Sequence, residues 1–130
     1  MSDGRPLAVG IDIVEVERIR RMVEGKGDRV ISRLLTDEER EYCFSQAVPA
    51  RHIAARVAAK EAVFKALQGV PDARKIGWQE IEVVRDWDGR PGARLTGRAE
   101  ARANQLGVTA VLLSLTHSDL HAAAIAVLVG

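Results

Sequence analysis

The sequence predicts an α+β fold in which a small antiparallel sheet packs on helices. An alternating apolar segment at residues 7–14 is typical of a strand, and two more apolar strands are predicted at 111–116 and 122–129. Between them, an alanine-rich segment at 51–67 has the length and spacing of a long helix. At 130 residues the chain has the size of one domain, and we predict a single domain over residues 1–130.

The remaining elements follow from local signals. Thr36 and Glu39 have the spacing of a capping box, which predicts a helix from Asp37. An Asp-Gly pair in residues 87–91 predicts a hairpin turn. The other predicted elements are helices at 16–24, ended by residues 25–28, at 30–35 and at 97–106, and strands at 80–86 and 93–96.

Composition excludes several classes of protein. Hydrophobic residues make up 47% and charged residues 28%, and the net charge of +1 does not indicate nucleic-acid binding. A single cysteine, Cys43, cannot form an internal disulfide, which favours a reducing compartment. No apolar run reaches membrane-spanning length and no signal-peptide core is visible. We therefore expect a cytoplasmic protein that binds neither nucleic acid nor membrane.

Two acids and a lysine are the strongest candidates for chemistry. Asp12 lies inside an apolar strand, where a carboxylate is costly unless it is paired or binds a cation. Glu61 and Lys65 lie one turn apart on an alanine-rich helix, and two carboxylates plus phosphate oxygens suit Mg²⁺. Lys65 would then stabilise phosphate charge. The alternatives are a helix-capping role for Asp12 and a simple ion pair between Glu61 and Lys65.

Basic residues could anchor further phosphates. Arg56 and Lys60 lie one turn apart on the long helix and, with Arg51, form a plausible set, although each alone could belong to a solvated basic edge. His117, at a strand end, could act as a base or phosphate donor or be an ordinary satisfied polar residue. Arg90 sits at a turn tip. Neither a Walker loop nor a zinc-like spacing is present in the sequence.

Four motifs together resemble one family, the holo-acyl-carrier-protein synthases, which are small phosphopantetheinyl transferases. Residues 10–19 resemble the N-terminal motif of that family, and residues 56–67 resemble its signature helix. Residues 114–117 look like its late Ser-x-Ser/Thr-His strand, and residues 88–91 look like its Gly-Lys/Arg-Pro turn. The resemblance covers nearly the whole chain in the same order. Val57 and residues 68–72 depart from the family pattern.

The resemblance implies a reaction and a set of site residues. The family transfers 4′-phosphopantetheine from coenzyme A to a serine of an apo carrier protein and releases adenosine 3′,5′-bisphosphate. By resemblance, Mg²⁺ is bound by Asp12 and Glu61, and the catalytic residues are these two with Lys65 and His117. Coenzyme A would be bound by Arg56, Lys60, Gly89, Arg90, Pro91, Thr116 and His117.

The resemblance also implies partners. The apo acyl carrier protein would meet Arg18, Arg20 and Arg21, and the family's small members are homotrimers with active sites shared between subunits. The base that takes the serine proton stays open between Glu61, a metal-bound water and His117. Two other functions stay open: a Mg²⁺-dependent hydrolase of a phosphodiester or pyrophosphate, and a non-catalytic trimeric module that binds an acidic helix.

Overall fold

A three-stranded antiparallel sheet, crossed on its inner face by one long helix, is the centre of the fold. The computed structural model describes residues 4–25 and 27–130. The strands are β1 (Pro6–Glu15), β2 (Ile81–Arg85), β3 (Pro91–Leu95), β4 (Ala110–His117) and β5 (His121–Val129). The helices are α1 (Val16–Gly25), α2 (Asp28–Leu34), α3 (Asp37–Phe44), α4 (Pro49–Ala66) and α5 (Gly97–Leu106). The predicted α+β class is confirmed.

Most predicted elements are present within a few residues of their expected bounds. The capping box is formed, since the Thr36 side chain accepts from the Glu39 amide and the Glu39 carboxylate accepts from the Thr36 amide. Helix α4 begins two residues earlier than predicted, with Pro49 in its first turn, where a missing N–H has no consequence. Two short 3₁₀ turns, Pro71–Lys75 and Trp78–Glu80, were not predicted because they are too short for a periodic pattern. Of the helix end expected at 25–28, Lys26 lies outside the described residues.

The strands form two antiparallel sheets. The larger has the order β1-β5-β4, and the smaller is the β2–β3 hairpin. The hairpin turn is closed by hydrogen bonds from the Asp86 amide to the Arg90 carbonyl (2.8 Å) and from the Gly89 amide to the Asp86 carbonyl (2.9 Å). Gly89 adopts φ +86°, a conformation that an L side chain rarely tolerates, so glycine is required at the turn.

The two faces of β1 have different surroundings. Gly10 and Val14 are buried against the core, whereas Val9, Ile11 and Ile13 are all more than 60% exposed on the opposite face. Because successive side chains alternate between faces, Asp12 is placed on the inner, helix-facing side. Asp12, the one acidic residue of the 9–14 segment, therefore lies on the side of β1 that faces α4.

Small residues allow α4 to lie directly on the sheet. The helix buries six alanines along its length, each at most 6% exposed: Ala54, Ala55, Ala58, Ala59, Ala62 and Ala66. In the described part of the chain, no helix is both long and apolar enough to cross a membrane.

Candidate active site

The predicted acidic residues meet in one cleft between β1, α1 and α4. This acidic cleft, of about 400 Å³, is lined by Asp12, Ile13, Val14, Arg18, Ile19, Met22, Leu34, Val57, Glu61, Lys65 and Trp78. Asp12 enters it from the end of β1, and both Glu61 and Lys65 enter it from the same face of α4, since they are four residues apart. The structure thus brings Asp12 together with two residues that lie about fifty positions further along the sequence.

Lys65 bridges β1 and α4 within the acidic cleft. Its ammonium donates to the Asp12 Oδ1 at 2.9 Å and to the Ile11 carbonyl at 3.1 Å. The alternative pair between Glu61 and Lys65 is therefore not the principal contact of the lysine. Asp12 remains close enough to Glu61 for their negative charges to interact.

The electrostatics of Glu61 indicate a position suited to a cation. Burial raises the pKa of its carboxyl, the negative charge of Asp12 raises it further, and Lys65 and Arg18 act in the opposite direction. Two carboxylates that line the same cleft fit Mg²⁺, which takes one or two carboxylates and fills its shell with water and phosphate oxygens. Among the described residues, no group of three or more acidic, histidine or cysteine side chains could hold a metal.

A second cleft, on the other side of α4, is basic. It measures about 180 Å³ and is lined by His52, Ala55, Arg56, Val83, Arg85, Pro91, Leu115 and His117. This basic cleft shares no lining residue with the acidic cleft. The catalytic residues expected from the sequence are therefore divided, with three in one cleft and His117 in the other.

Arg56 is held in the wall of the basic cleft and retains an unused donor. It is only 4% exposed, and its guanidinium lies over the Tyr42 ring at 4.1 Å from the ring centroid. Its Nε is buried and has no hydrogen-bond partner within residues 4–25 and 27–130. A buried, unpaired donor is costly, so this position favours an anion brought in by a ligand.

The other expected cofactor residues surround the basic cleft unevenly. Pro91 lines it, and Gly89 and Arg90 form the adjoining hairpin turn, where the Arg90 side chain is largely exposed and pairs with Asp88 at 3.2 Å. Thr116 lies on the opposite face of β4, because strand side chains alternate and both of its neighbours, Leu115 and His117, line the cleft.

Lys60 requires a correction. Its position in the sequence predicts a cofactor-binding role, but its side chain is 1% exposed. Its ammonium donates to the Trp78 carbonyl (2.9 Å) and the Ile81 carbonyl (2.7 Å) and pairs with Glu39 at 2.8 Å. All three donors are used inside the protein. The lysine therefore stabilises the fold, and it does not belong to a solvated basic edge.

The three arginines of α1 differ in their surroundings. Arg20 pairs with both Glu17 and Glu24, and Arg21 lies 3.5 Å from Glu17. Arg18 lines the acidic cleft, and in the described part of the chain it has no ion pair. Of the predicted carrier-binding set, Arg18 is the residue whose charge is least compensated.

Sequence reasoning missed two members of the basic cleft. His52 precedes Arg56 by four residues, which places both on one face of α4, and Arg85 is the register partner of Pro91 across the hairpin. Helical spacing and hairpin register could have indicated them. Trp78, which lines the acidic cleft from a 3₁₀ turn, gave no comparable signal.

The chain is similar to known proteins over almost its whole length. Residues 8–126 match the model of the 4′-phosphopantetheinyl transferase superfamily. A holo-[acyl-carrier-protein] synthase of Chlamydia trachomatis serovar D is 45% identical over 119 residues, which cover 92% of this chain and 96% of that protein.

Solved structures give the same picture. The crystal structure of holo-[acyl-carrier-protein] synthase from Neisseria meningitidis superimposes with a TM-score of 0.82 and 28% identity, covering 97% of this chain and 100% of that one. The Helicobacter pylori enzyme of the same name, in complex with coenzyme A, superimposes with a TM-score of 0.78 and 26% identity, covering 92% and 98%.

Proposed function

The chain belongs to the 4′-phosphopantetheinyl transferase superfamily, and we propose that it is a holo-acyl-carrier-protein synthase. The reaction is Mg²⁺-dependent transfer of 4′-phosphopantetheine from coenzyme A to a serine of an apo acyl carrier protein, with adenosine 3′,5′-bisphosphate as the second product. The observation that carries this proposal is the meeting of Asp12, Glu61 and Lys65 in the acidic cleft. Two similarities support it: relatives named for this activity, and a related structure that binds coenzyme A.

Asp12 and Glu61 would hold the metal ion. Bound there, Mg²⁺ would supply charge neutralisation for the pyrophosphate of coenzyme A. Lys65 already lies beside Asp12, so its ammonium can contact the same phosphate oxygens once they enter the cleft. The hydrogen bond from Lys65 to the Ile11 carbonyl fixes the ammonium against β1 and limits its freedom to leave the site.

The chemical step exchanges one phosphorus–oxygen bond for another. The carrier serine oxygen attacks the β-phosphorus next to the pantetheine arm, and the bond from that phosphorus to the bridging oxygen breaks. The electron pair of that bond leaves with adenosine 3′,5′-bisphosphate, whose charge Lys65 helps to stabilise. The serine proton passes to a base, and the candidates among the chain's own residues are Glu61 in the acidic cleft and His117 in the basic cleft.

The basic cleft would bind the nucleotide end of coenzyme A. Arg56 has an unpaired buried donor there, and His117 and Pro91 line the same walls. Gly89 and Arg90 extend this surface along the hairpin turn, and Thr116 remains a proposed contact on the adjoining face of β4. Lys60 is omitted from the set because its ammonium is buried and fully bonded.

A homotrimer would reunite the two clefts. The outer face of the large sheet is apolar and exposed, with Val9, Ile11, Ile13, Leu112 and Ile125 all at least 40% exposed. Apolar faces of this kind on a small protein indicate association. Because the acidic and basic clefts share no residue within one chain, we propose that the acidic cleft of one copy faces the basic cleft of the next.

The arginines of α1 indicate where the acidic carrier protein would bind, and the single cysteine indicates where the protein would be located. Arg18, with Arg20 and Arg21 beside it, is proposed to meet the acidic helix of the carrier at the rim of the acidic cleft. A cytoplasmic location is proposed because the single thiol, Cys43, is fully buried and unpaired, as expected of a protein from a reducing compartment.

Mass spectrometry of an apo carrier protein tests the activity. The chain is incubated with coenzyme A and carrier, with and without Mg²⁺, and we expect the carrier mass to increase by one phosphopantetheine arm only when Mg²⁺ is present. The variants Asp12→Ala and Glu61→Ala should lose this transfer, whereas Asp72→Ala, an exposed acid outside both clefts, should retain it. Hydrolysis of coenzyme A with an unchanged carrier mass would instead identify a hydrolase. Full transfer by Asp12→Ala would contradict the metal site.

Sedimentation velocity tests the assembly. Val9→Glu places a charge on the outer sheet face without touching either cleft, and we expect it to convert a trimer into monomers that have lost transfer. Glu15→Gln, at the exposed end of the same strand, is the matched control. A monomeric wild-type chain with full activity would overturn the shared-site arrangement.

A further inference from the structure

A column of three aromatic rings, those of His117, His52 and Tyr42, begins in the wall of the basic cleft, which the two histidines line. The His52 ring packs edge-to-face on Tyr42, with centroids 5.9 Å apart and an interplanar angle of 79°. The His52 ring also contacts the His117 ring, with centroids 5.3 Å apart and an interplanar angle of 64°. Tyr42 is in turn covered by the guanidinium groups of Arg56 at 4.1 Å and Arg85 at 4.8 Å. The column therefore connects α3, α4 and β4.

His117 depends on this column for its orientation. It is the last residue of β4 and is exposed, so the strand ladder beyond it does not restrain its side chain. Among the described residues, the His117 ring has no hydrogen-bond partner, and its contact with His52 is its one ring contact. His52, by contrast, is fixed by its position in the first turns of α4 and by Tyr42.

We propose that His52 is a positioning residue for His117, holding its imidazole edge-on to the basic cleft so that it can meet a phosphate of coenzyme A. The inference rests on the proposed function, and it adds a residue that neither the sequence motifs nor the expected cofactor set includes. Edge-to-face contacts restrict the orientation of a ring and contribute a small interaction energy. An energy of that size is enough to orient one exposed side chain.

Burial and the charges around His52 favour its neutral form. The groups that face it are Tyr42 from α3, Arg51 and Arg56 from α4, Arg85 from β2 and His117 from β4. The carboxylate of Asp119, between β4 and β5, is already paired with Arg51 at 2.6 Å. Burial lowers the pKa of His52, and the positive charges of His117, Arg56, Arg85 and Arg51 lower it further. A neutral His52 can pack against His117 without repelling it.

Steady-state kinetics of the full chain separate positioning from folding. We expect His52→Ala to raise KM for coenzyme A by about three- to tenfold with kcat within about twofold of wild type. His52→Phe keeps an aromatic edge and should restore KM to within about twofold. His121→Ala, an exposed histidine outside the cleft, is the matched control and should leave both constants unchanged. A large fall in kcat together with a rise in KM in both His52 variants, or no change in either constant, would overturn the proposal.

A double-mutant cycle asks whether His52 acts through His117. If it does, His52→Ala should add little to the defect of His117→Ala, so the effects on KM will be strongly non-additive. A merely structural contribution of His52 would give additive effects. The pH dependence provides a second test: KM of the wild type should rise at acid pH, as His52 gains a proton and repels His117, and this rise should be absent in His52→Phe.

NMR of the imidazole protons tests the contact without substrate. Cross-peaks between the His52 and His117 ring protons are expected in the wild-type chain, and His52→Ala should shift and broaden the His117 resonances while leaving those of His121 in place. This readout does not depend on transfer activity. A chain that shows the cross-peaks but transfers nothing would contradict the proposed function alone, and a chain that transfers without the cross-peaks would contradict this inference alone.

Discussion

Gly10 of β1 lies against the carbonyl of Ala62 in α4, so closely that a Cβ at position 10 would be 1.8 Å from the Ala62 oxygen. It would also lie 3.2 Å from the Ala66 amide nitrogen. This approach sets the distance between strand and helix just where Asp12 and Glu61 face each other. The acidic cleft therefore depends on a residue that has no side chain and no chemistry of its own.

Replacing Gly10 should separate strand from helix. In Gly10→Ala the added methyl meets backbone rather than a flexible side chain, so we expect a loss of about 1–3 kcal/mol in unfolding free energy and reduced transfer activity. Gly25→Ala is the matched control, since a Cβ at position 25 would have no described atom within 4 Å. Urea unfolding measures the stability of both variants, and equal unfolding midpoints would contradict the close packing of Gly10 against α4.

The buried pair of Lys60 and Glu39 should behave as one unit. Lys60→Met leaves the buried Glu39 carboxylate without its counter-charge and removes one donor from each of the Trp78 and Ile81 carbonyls, and we expect a loss of about 3–5 kcal/mol in unfolding free energy. The double variant Lys60→Met/Glu39→Gln should recover part of the lost unfolding free energy, because no buried carboxylate is left without its counter-charge. Lys75→Met, on the surface, is the control. Stability is measured by urea unfolding, and a near-neutral Lys60→Met would contradict the structural assignment of this lysine.

The Cys43 thiol should react with a labelling reagent only when the chain unfolds. The thiol is fully buried, and burial raises its pKa to about 11. Reaction with an aromatic disulfide reagent at pH about 8 should therefore be slow in the native chain and fast in denaturant.

The raised pKa of the Cys43 thiol makes the stability of the folded chain depend on pH. Because the unfolded thiol ionises at lower pH than the folded one, stability should decline as pH rises above the unfolded value of about 8.5. Cys43→Ser should remove this alkaline decline, whereas rapid labelling of the native wild type would show that the thiol is accessible.

Arg18 and Arg20 should differ in carrier binding. Arg18 faces the acidic cleft without an ion pair among the described residues, while Arg20 is compensated by Glu17 and Glu24. We expect Arg18→Ala to raise KM for the carrier protein by about tenfold and Arg20→Ala by less than about threefold, with the Arg18 effect shrinking at high salt. Transfer kinetics at varied carrier concentration measure this, and an Arg20 effect as large as that of Arg18 would contradict it.

Some features were decided by local sequence. Thr36 and Glu39 satisfy helix-end donors reciprocally, so their spacing predicted the start of α3 before any tertiary contact was known. The Asp-Gly turn likewise predicted the β2–β3 hairpin, because only a few backbone conformations can close it and one of them requires glycine. Strand alternation placed Asp12 on the same face of β1 as Gly10.

Other features depended on how distant segments pack. Helical spacing shows only which residues share a face, so the sequence predicts a phosphate-binding role for both Lys60 and Arg56, with a solvated basic edge as the alternative. That this face is covered by Glu39, Tyr42 and the carbonyls at residues 78 and 81 is a tertiary fact. The sequence by itself determined the α+β class and the chemistry of the acidic residues, because propensity, spacing and charge are local. The tertiary structure decided the separation of the acidic and basic clefts and the contact between His52 and His117, because burial and distance arise only when α4 is laid across the sheet.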